Sequence, residues 1–509
     1  MEELVYDIEA DNLLPGLTTI WCIGVCNPKT PDDVVTYTDY DDNHPSLLEG
    51  LLRLKNAKRL IGHNNIGYDC PAIEKLYPGY VRFEQQWDNM TVAALLSPSR
   101  RSLALASFGK EFGFEKGDFH DFSAYSEEMR VYMVRDVALT ARVYNDLQQK
   151  LKQAYVSGID YRKSIELEHQ VQLCLALQSH HGFRFDVKNA ELLSAKLSGK
   201  VSALEQVLTE VFLPIVRPKN ARWCYAKRTW KAPEIFKPKV NNVPAGYVKN
   251  AEVVRAIVQV FNPGSREQVA IRLSQLYGWT PQEYTEDGRP KVDESVLKEL
   301  EYPEAKVLVS YYKTNKQLAQ LCEGKTAWLK LHENGRMHGY VRSCGARTHR
   351  MSHSRPNMAQ CDKAKAMRSL WIPDNGHVLV GVDANALELV MLSCYLYPWD
   401  KGAYARAVLT GRKEDGNDAH TLNMKAAGLK SRDFSKTYFY ALIYGAGNEK
   451  LGSVYAQDHA ENGNQTFPKS AYRAIGKKSR QSIEDGVTGL GQLIAAVGDK
   501  ASKKGYIVL

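Results

Sequence analysis

The chain has 509 residues, with 67 Lys+Arg against 58 Asp+Glu and a formal net charge of +9. Its 44% hydrophobic and 25% charged residues are ordinary globular proportions and exclude collagen, disordered tails and coiled-coil rods. At ~150 residues per domain the length predicts about three domains, and the basic balance points to an anionic partner.

No stretch approaches the ~20 uninterrupted apolar residues of a membrane helix. Glu2, Glu3, Asp7 and Glu9 stand where a secretory signal would carry a basic cap and an apolar core. The expectation is a cytoplasmic chain with no membrane role. The nine cysteines include no CxxC pair, which speaks against a disulfide framework or a zinc site and for buried, reduced thiols.

Residues 1–26 read as strand, turn and strand: LVYDIEA alternates apolar and acidic residues, Pro15-Gly16 turns, and TTIWCIGVC is β-rich. A third strand is expected over 57–63 (AKRLIGH), a helix over about 70–77 and another over about 126–150. Strands interleaved with helices predict an α/β domain over about 1–150. A helical pattern follows over about 160–210, and another over about 266–335. Between them, residues 217–239 hold eight Lys/Arg and one acid, interleaved with Trp223, Tyr225, Trp230 and Phe236. Pro218, Pro233 and Pro238 oppose a regular helix there. HVLVGVDA (377–384) reads as a buried strand, and RDFSKTYFYALIYGAG (432–447) as a helix ended by glycines.

Two constellations carry chemistry. Asp7 and Glu9 lie two apart on a strand, so their carboxylates share a face. Unpaired buried carboxylates are costly, and two divalent cations would remove that cost. Asp69 lies just past the third strand, and Asp136 follows Tyr132 by four residues on one helix face. Four carboxylates and a phenol form a hard-oxygen site suited to Mg²⁺. Two such ions about 3.5–4 Å apart activate water and stabilise the leaving oxygen of a phosphodiester. In the second half, Asp383 is an acid inside an apolar stretch and demands a cation or a strong donor, and Glu388 follows it. Arg432, Lys436, Tyr440 and Tyr444 recur every four residues, two cations and two phenols on one helix stripe. The cations could hold a triphosphate, Tyr440 could stack on a base or sugar, and Tyr444 could pack below the next template base.

DIE (7–9), HNNIGYD (63–69) and YMVRD (132–136) resemble the three motifs of the Tyr-containing DEDD 3′–5′ exonucleases. That resemblance implies Asp7, Glu9, Asp69 and Asp136 as metal ligands, Tyr132 as the group orienting the attacking water, and Asn64 as a contact to the substrate nucleotide. WDNMTVAALL (87–96) is similar to the segment after the second motif, with Asp88 in its usual place. The second half resembles the family A DNA polymerases, in particular those of short-tailed bacteriophages. GVDANALEL (381–389) looks like motif A, which implies Asp383 and the adjoining Ala384 at the metals and Glu388 as the sugar-discriminating acid. RDFSKTYFYALIYG (432–445) looks like motif B, which implies Arg432 and Lys436 on the incoming triphosphate, Tyr440 at the sugar and Tyr444 below the template base. His420 falls where a β-phosphate contact is expected. THRMSHSRPNMAQ (348–360) resembles the primer–template segment, implying Arg350 and Gln360 near the duplex, with Arg368 ahead of motif A. VFNPGSREQV (260–269) and DGRPKVDESVLKEL (287–300) extend the likeness into the thumb.

The resemblance implies an α/β architecture. A ribonuclease H-like exonuclease domain (1–155) precedes a thumb and primer–template region (156–375), then a partial palm with fingers (376–509). It implies two Mg²⁺ ions per active site, primer–template DNA and dNTPs as partners, and phage DNA replication in the host cytoplasm. The segment 217–239 could follow a phosphate backbone through Lys227, Arg228 and Lys231 while its aromatics stack on bases. It could instead dock a processivity factor at the thumb, or be a solvated loop. Three departures stand out. Leu389-Val390 replaces an Arg of motif A, His349 replaces a Gly, and after Tyr444 no His-Asp-Glu turn of motif C follows. The reversed pair Asp458-His459 reads as surface. A two-metal palm needs carboxylates from two strands, so a second polypeptide supplying the remaining palm strands is expected, the other source being truncation. The competing readings are an exonuclease whose polymerase half only grips DNA, and a non-catalytic DNA-binding subunit.

Overall fold

A computed structural model describes residues 2–14, 16–218, 222–231, 256–285 and 287–504. The chain divides into two compact units, Met1–Leu379 and Val380–Leu509.

The first unit opens with β1 (Glu3–Ala10), β2 (Ile20–Asn27), β3 (Thr30–Tyr37), α1 (Leu47–Lys55), β4 (Arg59–Gly62), α2 (Asp69–Leu76), β5 (Gln86–Asp88), α3 (Asn89–Leu96), α4 (Leu105–Phe112) and α5 (Glu127–Val156). The five strands form one sheet in the order β3-β2-β1-β4-β5. β1, β2 and β3 pair antiparallel, while β1, β4 and β5 run parallel. β3 escapes the sequence reading because it is an edge strand whose Pro31, Asp32 and Asp33 hide the period-2 pattern.

The two faces of β1 divide the layers. Leu4, Tyr6, Ile8 and Ala10 enter one core with Leu47, Leu51 and Leu54 of α1 and Ile73 of α2. Val5, on the opposite face, packs with Cys22, Cys26, Ile61 and with Met133, Val137, Ala141 and Tyr144 of α5. Asp7 and Glu9 share this second face, so the acidic pair lies beneath α5. Gly24 stands directly across from Asp7. A Cβ there would fall 1.8 Å from the Met133 sulfur, so only glycine lets α5 settle onto the sheet at this point.

The unit continues with α6 (Arg162–His181), β6 (Phe183–Arg184), α7 (Val187–Val211), β7 (Ile215–Pro218), β8 (Arg222–Cys224), β9 (Thr229–Lys231), β10 (Ala256–Gln259), α8 (Arg266–Tyr277), α9 (Glu294–Lys298), α10 (Pro303–Leu318), α11 (Trp328–Leu331), β11 (Arg336–Met337), β12 (Tyr340–Arg342), β13 (Ser352–Ser354) and α12 (Lys365–Arg368). Its core gathers Leu197, Val201, Leu208, Leu308, Tyr312 and Trp328. The helical stretch expected over 266–335 is broken into separate helices, since Gly278 ends α8 in the left-handed conformation and Pro303 starts α10 afresh.

The basic aromatic segment forms a short hairpin of β8 and β9. Trp223 and Trp230 meet edge to face at 5.1 Å, the Arg217 guanidinium lies 5.2 Å from the Trp230 ring, and the Trp223 indole N–H donates to Ser274 Oγ. The two indoles thus pack against each other, and Trp223 is tied to α8. Pro233, Phe236 and Pro238 lie outside the described residues.

The second unit holds α13 (Leu387–Asp400), α14 (Ala403–Leu409), α15 (Ala419–Ala427), α16 (Arg432–Ile443), α17 (Asn448–Gly463), α18 (Tyr472–Gly486) and α19 (Leu490–Lys504). They close on Leu389, Leu396, Tyr438, Phe439, Leu442, Leu451 and Ile483. Two expectations are corrected here. Residues 377–384 are not a buried strand: they run without regular structure, with Val378, Val380 and Val382 80%, 79% and 92% exposed. Apolar, β-branched side chains favour a strand, but a strand exists through hydrogen bonds to a neighbour. None lies beside this segment among the described residues. Asp458 and His459 are not surface either. Asp458 is buried and accepts from the Lys430 backbone N–H at 2.6 Å, and His459 stacks on Tyr455 at 4.0 Å.

No helix among the described residues is long and apolar enough to cross a membrane. All nine cysteines are free. Cys22, Cys26, Cys70 and Cys344 are buried as expected, while Cys174 and Cys394 are exposed.

Candidate functional site

In the first unit, Asp7, Glu9 and Asp136 each offer a carboxylate oxygen within 4.8 Å of the others. β1 supplies the first two and α5 the third. Asp69, first residue of α2, reaches the same place from the other side: its Oδ1 accepts from the Ile8 backbone N–H between the two acids of β1, at 3.4 Å. The four acids thus meet at the C-terminal end of β1.

Burial raises every one of these acids, because a carboxylate loses more solvation than a carboxylic acid. Asp7 is held well above the usual range by burial and then by Asp69 and Glu9. Glu9 is pushed up to about 8 by burial and Asp136, and Asp69 to about 7 by burial against its opposing hydrogen bonds. Asp136 is raised by burial although the Lys116 ammonium, 2.6 Å from its Oδ2, pulls the other way. Its Oδ1 is buried without a hydrogen-bond partner.

Tyr132 stands one helical turn before Asp136. Burial and the Asp136 charge keep its hydroxyl protonated, and the Lys116 ammonium lies 4.7 Å from its ring. Phe119 and Phe122, from the loop before α5, flank the same ring at 5.8 and 6.3 Å. Lys116, Phe119 and Phe122 had no sequence signal: they lie in an irregular loop, where no period places a side chain. Asn64 adopts φ 71°, and its backbone N–H donates to Asp88 Oδ1 at 3.0 Å. Asp88 also accepts from the N–H groups of Met90 and Thr91 and so caps α3. It anchors the Asn64 turn and does not join the acidic cluster.

These acids open into a cleft of about 960 Å³ that Asn64, Lys116, Phe122 and Tyr132 also line. Hard oxygen donors, mutual repulsion and a buried oxygen without a partner fit a hard divalent cation. Asp7, Glu9, Asp69 and Asp136 are the residues able to hold it.

The second unit differs. Asp383 and Ala384 are both exposed, on the irregular segment before α13. Sequence reasoning required a cation for a buried Asp383, and exposure removes that requirement. Glu388, at the start of α13, accepts a hydrogen bond from the Tyr444 hydroxyl at 2.7 Å, tying the end of α16 to the residues after Asp383. α16 buries Ser435, Tyr438, Phe439 and Leu442, leaving the stripe of Arg432, Lys436 and Tyr440 along its other side. Arg432 is bound to Asp418, with Nη2 to Oδ1 at 2.8 Å. Asp418 stays ionised down to about 2 because that guanidinium and Thr421 outweigh its burial. The Ser435 hydroxyl donates to the His420 carbonyl at 2.9 Å, which brings α15 against α16 and sets the His420 ring 6.2 Å from that of Tyr440. Burial and the nearby Arg432 and Lys436 charges hold His420 below its usual value, so its ring is neutral at pH 7.

Of the residues expected at the duplex, Arg350, Gln360 and Arg368 are exposed on the first unit, beside the hairpin and helices of 340–368. Lys227 and Arg228 are exposed at the β8–β9 turn, and the Lys231 backbone pairs with Arg222.

A ribonuclease H-like sheet bearing an acidic pocket, followed by a helical unit with a cationic helix, is the arrangement of a nuclease-like domain joined to a polymerase-type domain. The RNase H superfamily profile matches residues 4–132, and the DNA polymerase family A profile matches residues 245–475. The chain is 29% identical to the DNA-directed DNA polymerase of Escherichia phage T7 over 550 aligned residues, covering 89% of this chain and 77% of that protein. The polymerase of Enterobacteria phage T3 matches to the same extent. A solved structure, the POL domain of Pol1 from M. smegmatis in complex with DNA primer-template and dNTP, shares the fold at a TM-score of 0.65, with 15% identity over 99% of this chain and 76% of that one. The chain thus combines a family A DNA polymerase domain with an RNase H-like domain, and it is similar to the phage T7 and T3 polymerases over most of its length.

Proposed function

We propose that the protein is a DNA-directed DNA polymerase chain with a 3′–5′ proofreading exonuclease, acting in phage DNA replication in the host cytoplasm. The observation that carries the reading is the convergence of Asp7, Glu9 and Asp136 within 4.8 Å beneath a helix bearing Tyr132. Asp7, Glu9, Asp69 and Asp136 would hold two Mg²⁺ ions, which would supply Lewis-acid activation of water and stabilisation of the leaving oxygen.

The chain's own residues do the rest. The Tyr132 hydroxyl, kept protonated by its surroundings, orients a water for attack on the terminal phosphodiester. A P–O bond forms to that water, the bond to the 3′-oxygen breaks, and the 3′-oxygen takes up a proton. Asn64 holds the departing nucleotide, and Lys116 keeps Asp136 in place. For nucleotide addition, Arg432, Lys436 and His420 receive the triphosphate, Tyr440 and Tyr444 cover the base pair, and Asp383 with the Ala384 backbone would hold the metals. Because Arg432 is already paired with Asp418, the triphosphate must compete for it or share it.

Nucleotide addition needs a second acidic strand. The bare valines around Asp383 support the reading that a further polypeptide pairs with this segment and brings that acid. The test is a 5′-labelled primer–template with a mismatched 3′ end. Stepwise shortening in Mg²⁺ that disappears in Asp7→Asn supports the exonuclease. Primer extension is measured with this chain alone and with the product of the neighbouring gene. Robust extension by the 509-residue chain alone rejects the split.

A further inference from the structure

The cleft that holds the acids has a second wall, and it comes from far along the chain. His338, Tyr340 and Arg355 line it together with Asp7, Glu9 and Asp136. These residues belong to the β12–β13 hairpin and its edges, where Tyr340 pairs with Ser354 and Arg355 follows directly. The Tyr340 hydroxyl donates to Asn64 Oδ1 at 3.4 Å, so the hairpin reaches the turn that carries the expected nucleotide contact. Arg355 is exposed, and its charge is felt at the Tyr340 hydroxyl. Among the described residues no carboxylate pairs with its guanidinium. The other cation of the cleft, Lys116, is engaged by Asp136 at 2.6 Å.

A polyanion entering this cleft meets four acids at one end. A strand of DNA gains a favourable path only where a cation offsets them, and a planar guanidinium suits a phosphate best. We propose that Arg355 binds a backbone phosphate of the single strand whose 3′ end lies among the acids. Tyr340 acts as a positioning residue that fixes Asn64. The occupant is single-stranded DNA, because the nuclease sheet and the hairpin enclose the path from two sides while Phe122 and Tyr132 offer aromatic surfaces to unpaired bases. This rests on the exonuclease reading above.

The test uses the full chain, a fluorescein-labelled single-stranded oligonucleotide and a blunt duplex of the same sequence. Binding is measured in EDTA across a salt series, and hydrolysis in Mg²⁺. Arg355→Gln is expected to weaken single-strand binding about tenfold and to lower the salt slope by about 0.7. It raises KM with kcat near wild type, and Arg355→Lys restores the slope. Tyr340→Phe, which loses only the bond to Asn64, is expected to raise KM a fewfold with the slope unchanged. Wild-type binding and slope in Arg355→Gln overturn the proposal, as does an equal loss on blunt duplex. If wild type and Asp7→Asn hydrolyse alike, the nuclease reading falls, and the EDTA binding series alone decides the Arg355 contact.

Discussion

The two acidic regions of this chain stand in opposite states. In the first unit, four carboxylates from β1, α2 and α5 are brought together by a finished sheet, and burial strains their charges against one another. In the second, Asp383 lies on an open segment beside exposed valines. The environment of a carboxylate is therefore set by the elements that hold it, not by the residues beside it in the chain. Asp7 is an unusual acid because β2, β4 and α5 surround it; Asp383 has the sequence context of a buried acid without the neighbours.

The largest effect is expected from removing one acid from each region. Asp7→Ala is expected to lower exonuclease turnover by more than the roughly 100-fold that partners outside a metal's own shell typically cost. Gel resolution of a labelled single strand reads the effect. Asp383→Ala is expected to leave that hydrolysis at the wild-type rate. A nuclease equally damaged by both substitutions would mean that the regions are not independent, and the contrast would fail.

The next effect is thermodynamic. A carboxylic acid whose folded pKa is raised keeps its proton in the native state after the unfolded chain has lost it, so stability falls as pH rises between the two values. For Glu9 that window runs from the ordinary range near 4.5 up to about 8, and for Asp69 from 3.8 to about 7. In EDTA, the melting temperature is therefore expected to decline from pH 5 to pH 8, by an amount on the order of a few kcal/mol in stability for the coupled cluster. Mg²⁺ or Mn²⁺ should flatten the decline, and Asp7→Asn should raise the melting temperature at pH 8 while abolishing hydrolysis. A stability that instead rises over this interval would mean that the acids are not confined together.

What was legible in the sequence follows the same division. The period-2 placement of Asp7 and Glu9, and the one-turn spacing of Tyr132 and Asp136, survive folding because strand and helix geometry fix them locally. The stripe on α16 was legible for the same reason. The edge strand β3 was not, because solvent on one side lets Pro31, Asp32 and Asp33 break the alternation. Residues 377–384 misled in the opposite sense: their apolar run is a strand pattern, but pairing is a property of neighbours and not of the run itself. Lys116 and Arg355 reach the cleft from irregular segments through tertiary contacts that no spacing records. Asp458 gave no hint of burial, since its partner is the Lys430 backbone on a preceding loop.

The smallest effect tests whether the second region is organised at all. The Tyr444 hydroxyl donates to Glu388 at 2.7 Å, and Tyr444 is 58% exposed. A hydrogen bond so open to water contributes little to stability, about 1 kcal/mol or less, because solvent replaces the lost partner. Tyr444→Phe should accordingly shift the melting temperature by only about 1–2 °C in a chain of this size. Its consequence should lie elsewhere. Without the bond, the end of α16 loses this tie to the start of α13, and the stripe carrying Arg432, Lys436 and Tyr440 is held less firmly relative to Glu388. Triphosphate binding, read by fluorescence titration with primer–template present, should weaken a fewfold while the fold stays intact. If the variant binds dNTP as wild type does, the contact is incidental. Any triphosphate binding by the second region would then rest on α15 and α16, where Asp418 already holds Arg432 and Ser435 holds the His420 backbone.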